Sequence, residues 1–211
     1  MLERFKVPQK DVVKVTEASL RETVTAVFTK MGVSQEDSME GANTLVMSDL
    51  RGVESHGVSN MLRTYVQYYK ERKINPKPNW HIVRESPGTA VIDADRGLAI
   101  ILGPKAMQIA IEKAISVGVG IVTMNNAGHS SAIGHHAMLA ATKDMVGMCT
   151  TAAGAMVAPT FASQGRLGTN PIAIAAPARN EPPLLFDAAT SAIAGNKIHL
   201  ANRIGSTLLP G

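Results

Sequence analysis

With 211 residues, 45 % of them hydrophobic, the chain can bury a core as one large domain or two small ones. Its formal charge of +4 is modest and its basic residues are scattered, which argues against nucleic acid as a partner. The one cysteine excludes an internal disulfide framework and suits a reducing compartment, so we expect a cytoplasmic protein. The N-terminal residues are too charged for a signal peptide, and no apolar run is long enough to predict a membrane span.

The first predicted elements are helices, over residues 16 to 73. Ser19 and Glu22 form a capping-box pattern that predicts the start of the first helix. Ser34 is expected to open a second helix, and a third is expected over Val58–Lys73. The segment Ser55-His56-Gly57 is therefore predicted to lie in a helix–helix junction.

Strands and helices are predicted to alternate after the proline-containing segment INPKPNW, which reads as a linker. A helix is expected to start at Gly103-Pro104, because proline is favoured in a first helical turn. The alternation over residues 89 to 151 predicts an α/β layer with some parallel pairing. The predicted strands are His81–Arg84, Thr89–Asp93, Val119–Asn125, Val146–Thr151, Ile172–Ala176 and Leu184–Phe186, and a helix is expected over Ser131–Asp144.

The glycine patterns exclude the common dinucleotide fold. A Rossmann domain shows G-x-G-x-x-G directly after a strand, and neither GVGIVT nor GHSSAIG matches that spacing. The first of these glycine pairs precedes a predicted strand, and no Walker loop is present. Any dinucleotide would therefore bind by a different architecture.

Two histidines occupy positions typical of functional groups. His129 follows the strand Val119–Asn125, and groups just beyond the carboxyl end of a strand line the ligand crevice of α/β sheets. His56, taken alone, fits a capping or packing role at a helix start. Its neighbour Ser55 is not expected to form a proton-transfer pair with it, because adjacent side chains of an extended chain point to opposite faces.

Other polar residues leave their roles open. His129, His135 and His136 have no nearby cysteine or carboxylate, so we predict no metal site. Thr169-Asn170-Pro171 fits a turn. Asp187 ends an apolar strand, where a carboxylate can orient a histidine, bind a ribose hydroxyl or cap the following turn.

Four segments together resemble the malate/L-lactate dehydrogenase family of the sulfolactate dehydrogenase type: SDLRGVESHGVSNMLRTYV, NNAGHSSAIGHHAMLAA, LGTNPIAIAAP and LLFDAATSAIAGNKI. That family is unrelated to the Rossmann-fold lactate and malate dehydrogenases. The resemblance runs from about residue 14 to the C-terminus. It implies an α/β fold in which an N-terminal helical segment for substrate binding and dimerisation (residues 1–75) precedes a mixed-sheet, three-layer cofactor-binding domain (residues 76–211).

The resemblance also implies hydride transfer between NAD or NADP and a small 2-oxo or 2-hydroxy acid, in a homodimer without nucleic-acid or membrane partners. The implied catalytic residues are His129 and His56, with Ser55 as the partner of His56, and which histidine gives the proton is left open. Thr169 matches a substrate-contact position. The implied cofactor contacts are His129, Ser130, Ser131, Ala132, Ile133, Asp187, Ala188 and Ala189.

Two departures from the family pattern stand out. Family members commonly carry an arginine four residues after the SHG histidine, where this chain has Asn60. Arg63 lies on nearly the same helical face and is expected to meet the substrate carboxylate instead. The chain is also shorter than family members, which leaves an alternative: a non-catalytic relative that serves as an oligomerising or ligand-binding scaffold.

Overall fold

Helices form the first part of the computed structural model, which describes residues 9–208. They are α1 (Glu17–Lys30), α2 (Gln35–Leu50) and α3 (Val58–Lys70), so α3 ends earlier than predicted. Thr16, and not Ser19, caps α1, because its hydroxyl accepts a hydrogen bond from the Ser19 N–H at 3.2 Å.

The described strands make two separate three-stranded sheets. The strands are β1 (His81–Glu85), β2 (Thr89–Asp93), β3 (Ile121–Asn125), β4 (Gly147–Thr150), β5 (Ile172–Ala176) and β6 (Leu184–Ala188). In the first sheet, β1 pairs antiparallel with β2, and β2 pairs with β3 in parallel, which confirms the predicted parallel pairing. The second sheet is antiparallel throughout, in the order β4-β5-β6.

The remaining helices connect and cover these sheets. The parallel crossover from β2 to β3 is made by α4 (Ala99–Val117), and α5 (Gly134–Ala141) joins the first sheet to the second. A final helix that the sequence patterns did not predict is α6 (Gly195–Ile204). None of the helices within residues 9–208 combines the length and the apolar character that crossing a bilayer requires.

The start of α4 differs from the prediction, because the helix begins at Ala99 and runs through Pro104. Proline has no N–H and cannot donate to the carbonyl of Ile100. The hydroxyl of Thr44 on α2 donates to that carbonyl instead, in a buried bond of 2.8 Å. A distant side chain thus replaces the missing backbone donor and lets the helix continue.

Two cores support this arrangement. The main core joins α1–α3 to the first sheet and α4 through large side chains, among them Phe28, Tyr65 and Ile100. A smaller core between α5 and the second sheet consists of Ile133 and alanines. The two cores leave an open cleft between the edge strands β3 and β4.

Candidate active site

The junction between α2 and α3 holds the SHG segment (Ser55–Gly57) in a fixed conformation. Residues Glu54–His56 form a 3-10 turn, and the Asp49 carboxylate accepts a 2.8 Å hydrogen bond from the N–H of Val58, the first residue of α3. The same carboxylate packs on Gly57, where a Cβ atom would lie 1.7 Å from Asp49 Oδ1. Packing therefore requires glycine after His56.

Ser55 and His56 form a hydrogen-bonded pair within this turn. Ser55 Oγ lies 2.9 Å from His56 Nδ1. The prediction that these neighbours cannot pair is wrong, because the chain here is a 3-10 turn and not an extended segment. The amide of Asn60 donates to the Ser55 carbonyl at 2.8 Å, so Asn60 supports the turn from within α3.

His129 stands in the loop that follows β3, as the sequence predicted. Asn126 and Ser131 adopt positive φ angles of 51° and 58°, which turn the loop back over the end of the sheet. The N–H of Gly128 donates to the Gly97 carbonyl at 2.8 Å and ties the loop to the segment before α4. The loop thus presents His129 at the carboxyl end of β3.

The two predicted histidines come together. The rings of His56 and His129 are stacked, with centroids 5.8 Å apart and an interplanar angle of 14°. Tyr65 Oη lies 2.8 Å from His129 Nδ1, and the N–H of Ser131 donates to the same nitrogen at 3.2 Å. The Ser131 hydroxyl donates to the His56 carbonyl, which links the loop to the junction.

Both rings are neutral at pH 7. Burial lowers the pKa of His129 to about 4. Burial also lowers the pKa of His56 to about 4, assisted by His129 and by the Lys197 ammonium. Burial raises the pKa of Tyr65 far above its ordinary value, so its phenol keeps its proton. The site therefore holds neutral hydrogen-bonding groups, of which Tyr65 is fully buried, His56 is partly buried and His129 is exposed toward the cleft.

The stacked imidazoles line a cleft of about 1350 Å³. Its walls come from α4, β3 and β4, and most of the lining residues that α4 contributes are glycine or alanine. Thr169 also lines it. The predicted site residues that reach this cleft are His56, His129, Ser130, Ser131 and Thr169.

The segment around Thr169 is also a tightly held turn. The Thr169 carbonyl accepts hydrogen bonds from the Thr190 N–H at 2.9 Å and the Thr190 hydroxyl at 3.1 Å. Asn170, at a φ of 31°, accepts from the Ala153 N–H at 3.0 Å. The turn and the cleft-facing position are therefore compatible.

The other predicted site residues do not line the cleft. Arg63 is exposed on α3, and Ile133 is buried in the second core. The Asp187 carboxylate accepts a 2.7 Å hydrogen bond from the N–H of Gly134, at the start of α5. Asp187 therefore acts as a cap, which is one of the three roles considered for it. It caps helix α5 and not the turn that follows it in the sequence. The predicted residues outside the lining are Ser55, Asn60, Arg63, Ala132, Ile133, Asp187, Ala188 and Ala189.

His135 and His136 are both buried. His136 Nε2 lies 3.2 Å from the Ser130 carbonyl, so His136 supports the loop that carries His129. Among residues 9–208, no three histidine, cysteine, aspartate or glutamate side chains are grouped so that they could hold a metal ion.

Sequence reasoning missed Tyr65, Asp49 and Lys197. Asp49 lies six residues before Ser55 and Tyr65 lies eight residues after Gly57, so both are close to the SHG segment in the sequence. Lys197 belongs to helix α6, which the sequence patterns did not predict, so nothing indicated that its charge lies near His56.

Known proteins share this chain's sequence and fold. Residues 15–211 match the malate/L-lactate dehydrogenase family. Malate dehydrogenase of Pyrococcus abyssi is 41 % identical over 199 residues, which are 94 % of this chain and 54 % of the relative. L-sulfolactate dehydrogenase of Methanocaldococcus jannaschii is 44 % identical over 172 residues, 82 % of this chain and 49 % of the relative.

The structural likeness has the same extent. The structure of malate dehydrogenase from Pyrococcus horikoshii OT3 superimposes with a TM-score of 0.88 at 40 % identity, over 92 % of this chain and 55 % of that one. The chain thus spans about half the length of the curated relatives it matches. Since the family match covers nearly all of the sequence and the helices and sheets superimpose, the chain belongs to the malate/L-lactate dehydrogenase family.

Proposed function

We propose that this chain carries the site of an NAD- or NADP-dependent dehydrogenase that interconverts a small 2-oxo acid and its 2-hydroxy acid. The observation that carries the proposal is the pair of stacked imidazoles of His56 and His129 at the cleft. Its relatives named malate and L-sulfolactate dehydrogenase support a 2-hydroxy acid as the substrate class.

The cleft fits a nicotinamide cofactor beside a small acid. Its volume of about 1350 Å³ exceeds the roughly 300–1000 Å³ of a drug-sized ligand site. We propose that His129, Ser130 and Ser131 hold the cofactor at the end of β3, where the loop lines the cleft. Asp187 acts on the same loop indirectly, by capping α5. A bound nicotinamide supplies a hydride to the substrate carbon or accepts one from it.

The imidazoles serve the oxygen of the substrate. Reduction of a carbonyl builds negative charge on its oxygen, which a hydrogen-bond donor stabilises and a proton neutralises. Nδ1 of His129 and Nδ1 of His56 are both engaged with protein groups. The Nε2 atoms have no hydrogen-bond partner within the described part of the chain, so they are the ring nitrogens available to a substrate.

A substrate carboxylate needs a cation near these rings. Arg63, the residue predicted from the sequence, is exposed on α3, whereas Lys197 interacts electrostatically with His56. We propose that Lys197 binds the substrate carboxylate, and Arg63 is the alternative residue for this role. Lys197→Ala should then raise the KM for pyruvate about tenfold, while an equal rise in Arg63→Ala alone would return the role to Arg63.

The deciding experiment follows nicotinamide absorbance in the purified protein with NADH or NADPH and pyruvate or oxaloacetate. We expect turnover, and a loss of about 10²–10⁴-fold in kcat for His56→Ala and His129→Ala, the usual range for acid–base and donor groups. His81→Ala is the matched control, because His81 is exposed on β1. Full activity in both site variants would contradict the proposal.

The alternative is a scaffold that binds ligand or associates without catalysis. It is supported by apolar side chains exposed on the second sheet, such as Leu184 and Phe186. A folded protein with no turnover and no change in NADH fluorescence would favour it.

A further inference from the structure

We propose that Tyr65 is a positioning residue which, together with the Ser131 N–H, fixes His129 in its Nε2–H tautomer. His129 then serves as a permanent hydrogen-bond donor, and His56 paired with Ser55 is the group that exchanges the proton. This inference rests on the proposed function, and it assigns different tasks to two imidazoles that lie side by side.

The tautomer of His129 follows from its partners. A backbone N–H can only donate, so the 3.2 Å contact of the Ser131 N–H with Nδ1 requires a lone pair on that nitrogen. The Tyr65 hydroxyl, 2.8 Å from the same nitrogen, must then donate as well. The proton of the neutral ring is left on Nε2.

This arrangement resists a second proton on His129. The only vacant position would be Nδ1, where an added N–H would face the N–H of Ser131 at 3.2 Å. Ser131 is not free to turn away, since its hydroxyl is bonded to the His56 carbonyl and its φ is fixed at 58°. Tyr65 is fully buried on α3, so the hydroxyl that contacts His129 is held in place as well.

His56 has a partner of a different kind. The Ser55 hydroxyl, 2.9 Å from Nδ1, can donate or accept. When Nδ1–H donates to Ser55 Oγ, Nε2 carries a lone pair and can take a proton without breaking that bond. His56 can therefore alternate between neutral and charged forms with the junction unchanged.

The charges around the pair set when this exchange occurs. The titratable groups that face the two rings are Tyr65 from α3 and Lys197 from α6, in addition to the rings themselves. Burial, and after it the neighbouring His129 and Lys197, disfavour a proton on His56 in the free protein, so an anionic substrate must arrive before His56 takes one.

The proton and electrons balance in the reductive direction. A reduced nicotinamide would supply the hydride to the substrate carbon, and the C=O π pair would move onto the oxygen. That oxygen would take the Nε2 proton of the charged His56 imidazolium, and the resulting neutral His56 would be protonated again from solvent. Throughout, His129 Nε2–H donates a hydrogen bond to the same oxygen and keeps its proton.

The first test is independent of turnover. The ¹⁵N NMR shifts of the histidine rings distinguish a protonated from an unprotonated Nδ1. We expect His129 Nδ1 to be unprotonated at pH 7 in the wild type. In the Tyr65→Phe variant we expect the proton affinity of the His129 ring to be about tenfold higher, because one of the two donors to the Nδ1 lone pair is lost.

Tyr69→Phe is the matched control for this measurement. Tyr69 lies one turn further along α3 and packs edge-on against Phe28, with ring centroids 6.4 Å apart. It should leave the His129 titration unchanged. An Nδ1–H tautomer in the wild type, or equal shifts in Tyr65→Phe and Tyr69→Phe, would overturn the inference.

The second test compares glutamine variants by kcat. His129→Gln keeps an N–H donor and should retain at least tenfold more activity than His129→Ala. His56→Gln cannot exchange a proton and should be no better than His56→Ala. The reverse pattern would overturn the division of tasks. Absence of turnover in the wild type would contradict the proposed function alone, since the NMR result does not depend on it.

Discussion

The helical region (residues 17–117) and the second-sheet region (residues 133–204) are each stabilised by side chains of a different kind. The core of the helical region contains fully buried aromatic and branched residues, such as Phe28, Tyr65 and Ile100. The core of the second-sheet region contains one large residue, Ile133, next to alanines. Because burial stabilises roughly in proportion to apolar area, the second-sheet region has far less to hold it.

The candidate site lies where these two regions meet. His56 comes from the helical region, and His129 comes from the loop between the regions. Thr169 comes from the turn that precedes β5 in the second sheet. The comparison indicates that the helical region sets the geometry of the imidazoles. Local unfolding of the opposite wall of the cleft should require less free energy than unfolding of the helical region.

Acid should have the largest effect, because it acts on the histidines where the regions meet. Burial lowers the pKa of His56, His129 and His136 to about 4, against an ordinary 6.5. The unfolded chain therefore takes up protons below pH 6.5 that the folded chain refuses, so stability falls as the pH drops. We expect a loss of about 2 kcal/mol from each of His56 and His136 between pH 7 and 5, measured by denaturant unfolding. The loss from His129 should be smaller, because its side chain is exposed to solvent.

A single substitution tests the origin of this pH dependence. His136→Gln keeps an N–H toward the Ser130 carbonyl but cannot titrate, so the slope of stability against pH should fall by about half. His199→Gln, at an exposed position on α6, is the control and should leave the slope unchanged. The explanation fails if both variants keep the wild-type slope.

Gly57→Ala should be the most damaging single substitution in the helical region's junction. The added Cβ would lie 1.7 Å from Asp49 Oδ1, so the carboxylate that caps α3 must move. We expect a loss of about 3 kcal/mol in the free energy of unfolding. Gly154→Ala, with nothing within 4 Å of its Cβ position, should change stability by less than about 0.5 kcal/mol. Similar losses in both variants would refute the packing argument.

Thr44→Val tests the long-range bond that carries α4 through Pro104. Removing the hydroxyl leaves the buried Ile100 carbonyl without a donor, which should cost about 2 kcal/mol. Pro104→Ala restores a backbone N–H, so in that background Thr44→Val should cost much less. Thermal unfolding of the four combinations measures this coupling, and an additive result would show that the two residues act independently.

Local sequence patterns predicted most strands and the helix–helix junction, because strand alternation and cap residues act over a few neighbours. They also placed His129 correctly, since a loop after a parallel strand has a known position. The start of α1 was ambiguous, because both Thr16 and Ser19 precede residues that fit a cap.

Contacts between distant residues were beyond such patterns. The donation from Thr44 to Ile100 and the contact of Tyr65 with His129 join residues far apart in the chain. The sequence patterns therefore singled out His56 and His129 but did not predict how their rings are oriented. Under the proposed function, those contacts decide which of the two rings gives a proton.

The smallest effects should come from the two carboxylates that cap helices on either side of the cleft. Asp49 caps α3 in the helical region, and Asp187 caps α5 in the second-sheet region. Burial raises the pKa of both carboxyl groups, and the hydrogen bond from the helix only partly opposes this. The hydrogen bond from the helix N–H thus stabilises each cap more than the negative charge of the carboxylate does.

We therefore expect Asp187→Ala to lose about 1 kcal/mol, since the Gly134 N–H loses its acceptor. Asp187→Asn keeps an oxygen acceptor and should change stability by less than about 0.5 kcal/mol, because loss of the attraction to the helix terminus and relief of desolvation offset each other. The Asp49 pair of variants should follow the same order. An asparagine variant as damaging as alanine in either region would mean that the charge itself holds that helix, and hydrogen exchange at the α5 amides would show it first.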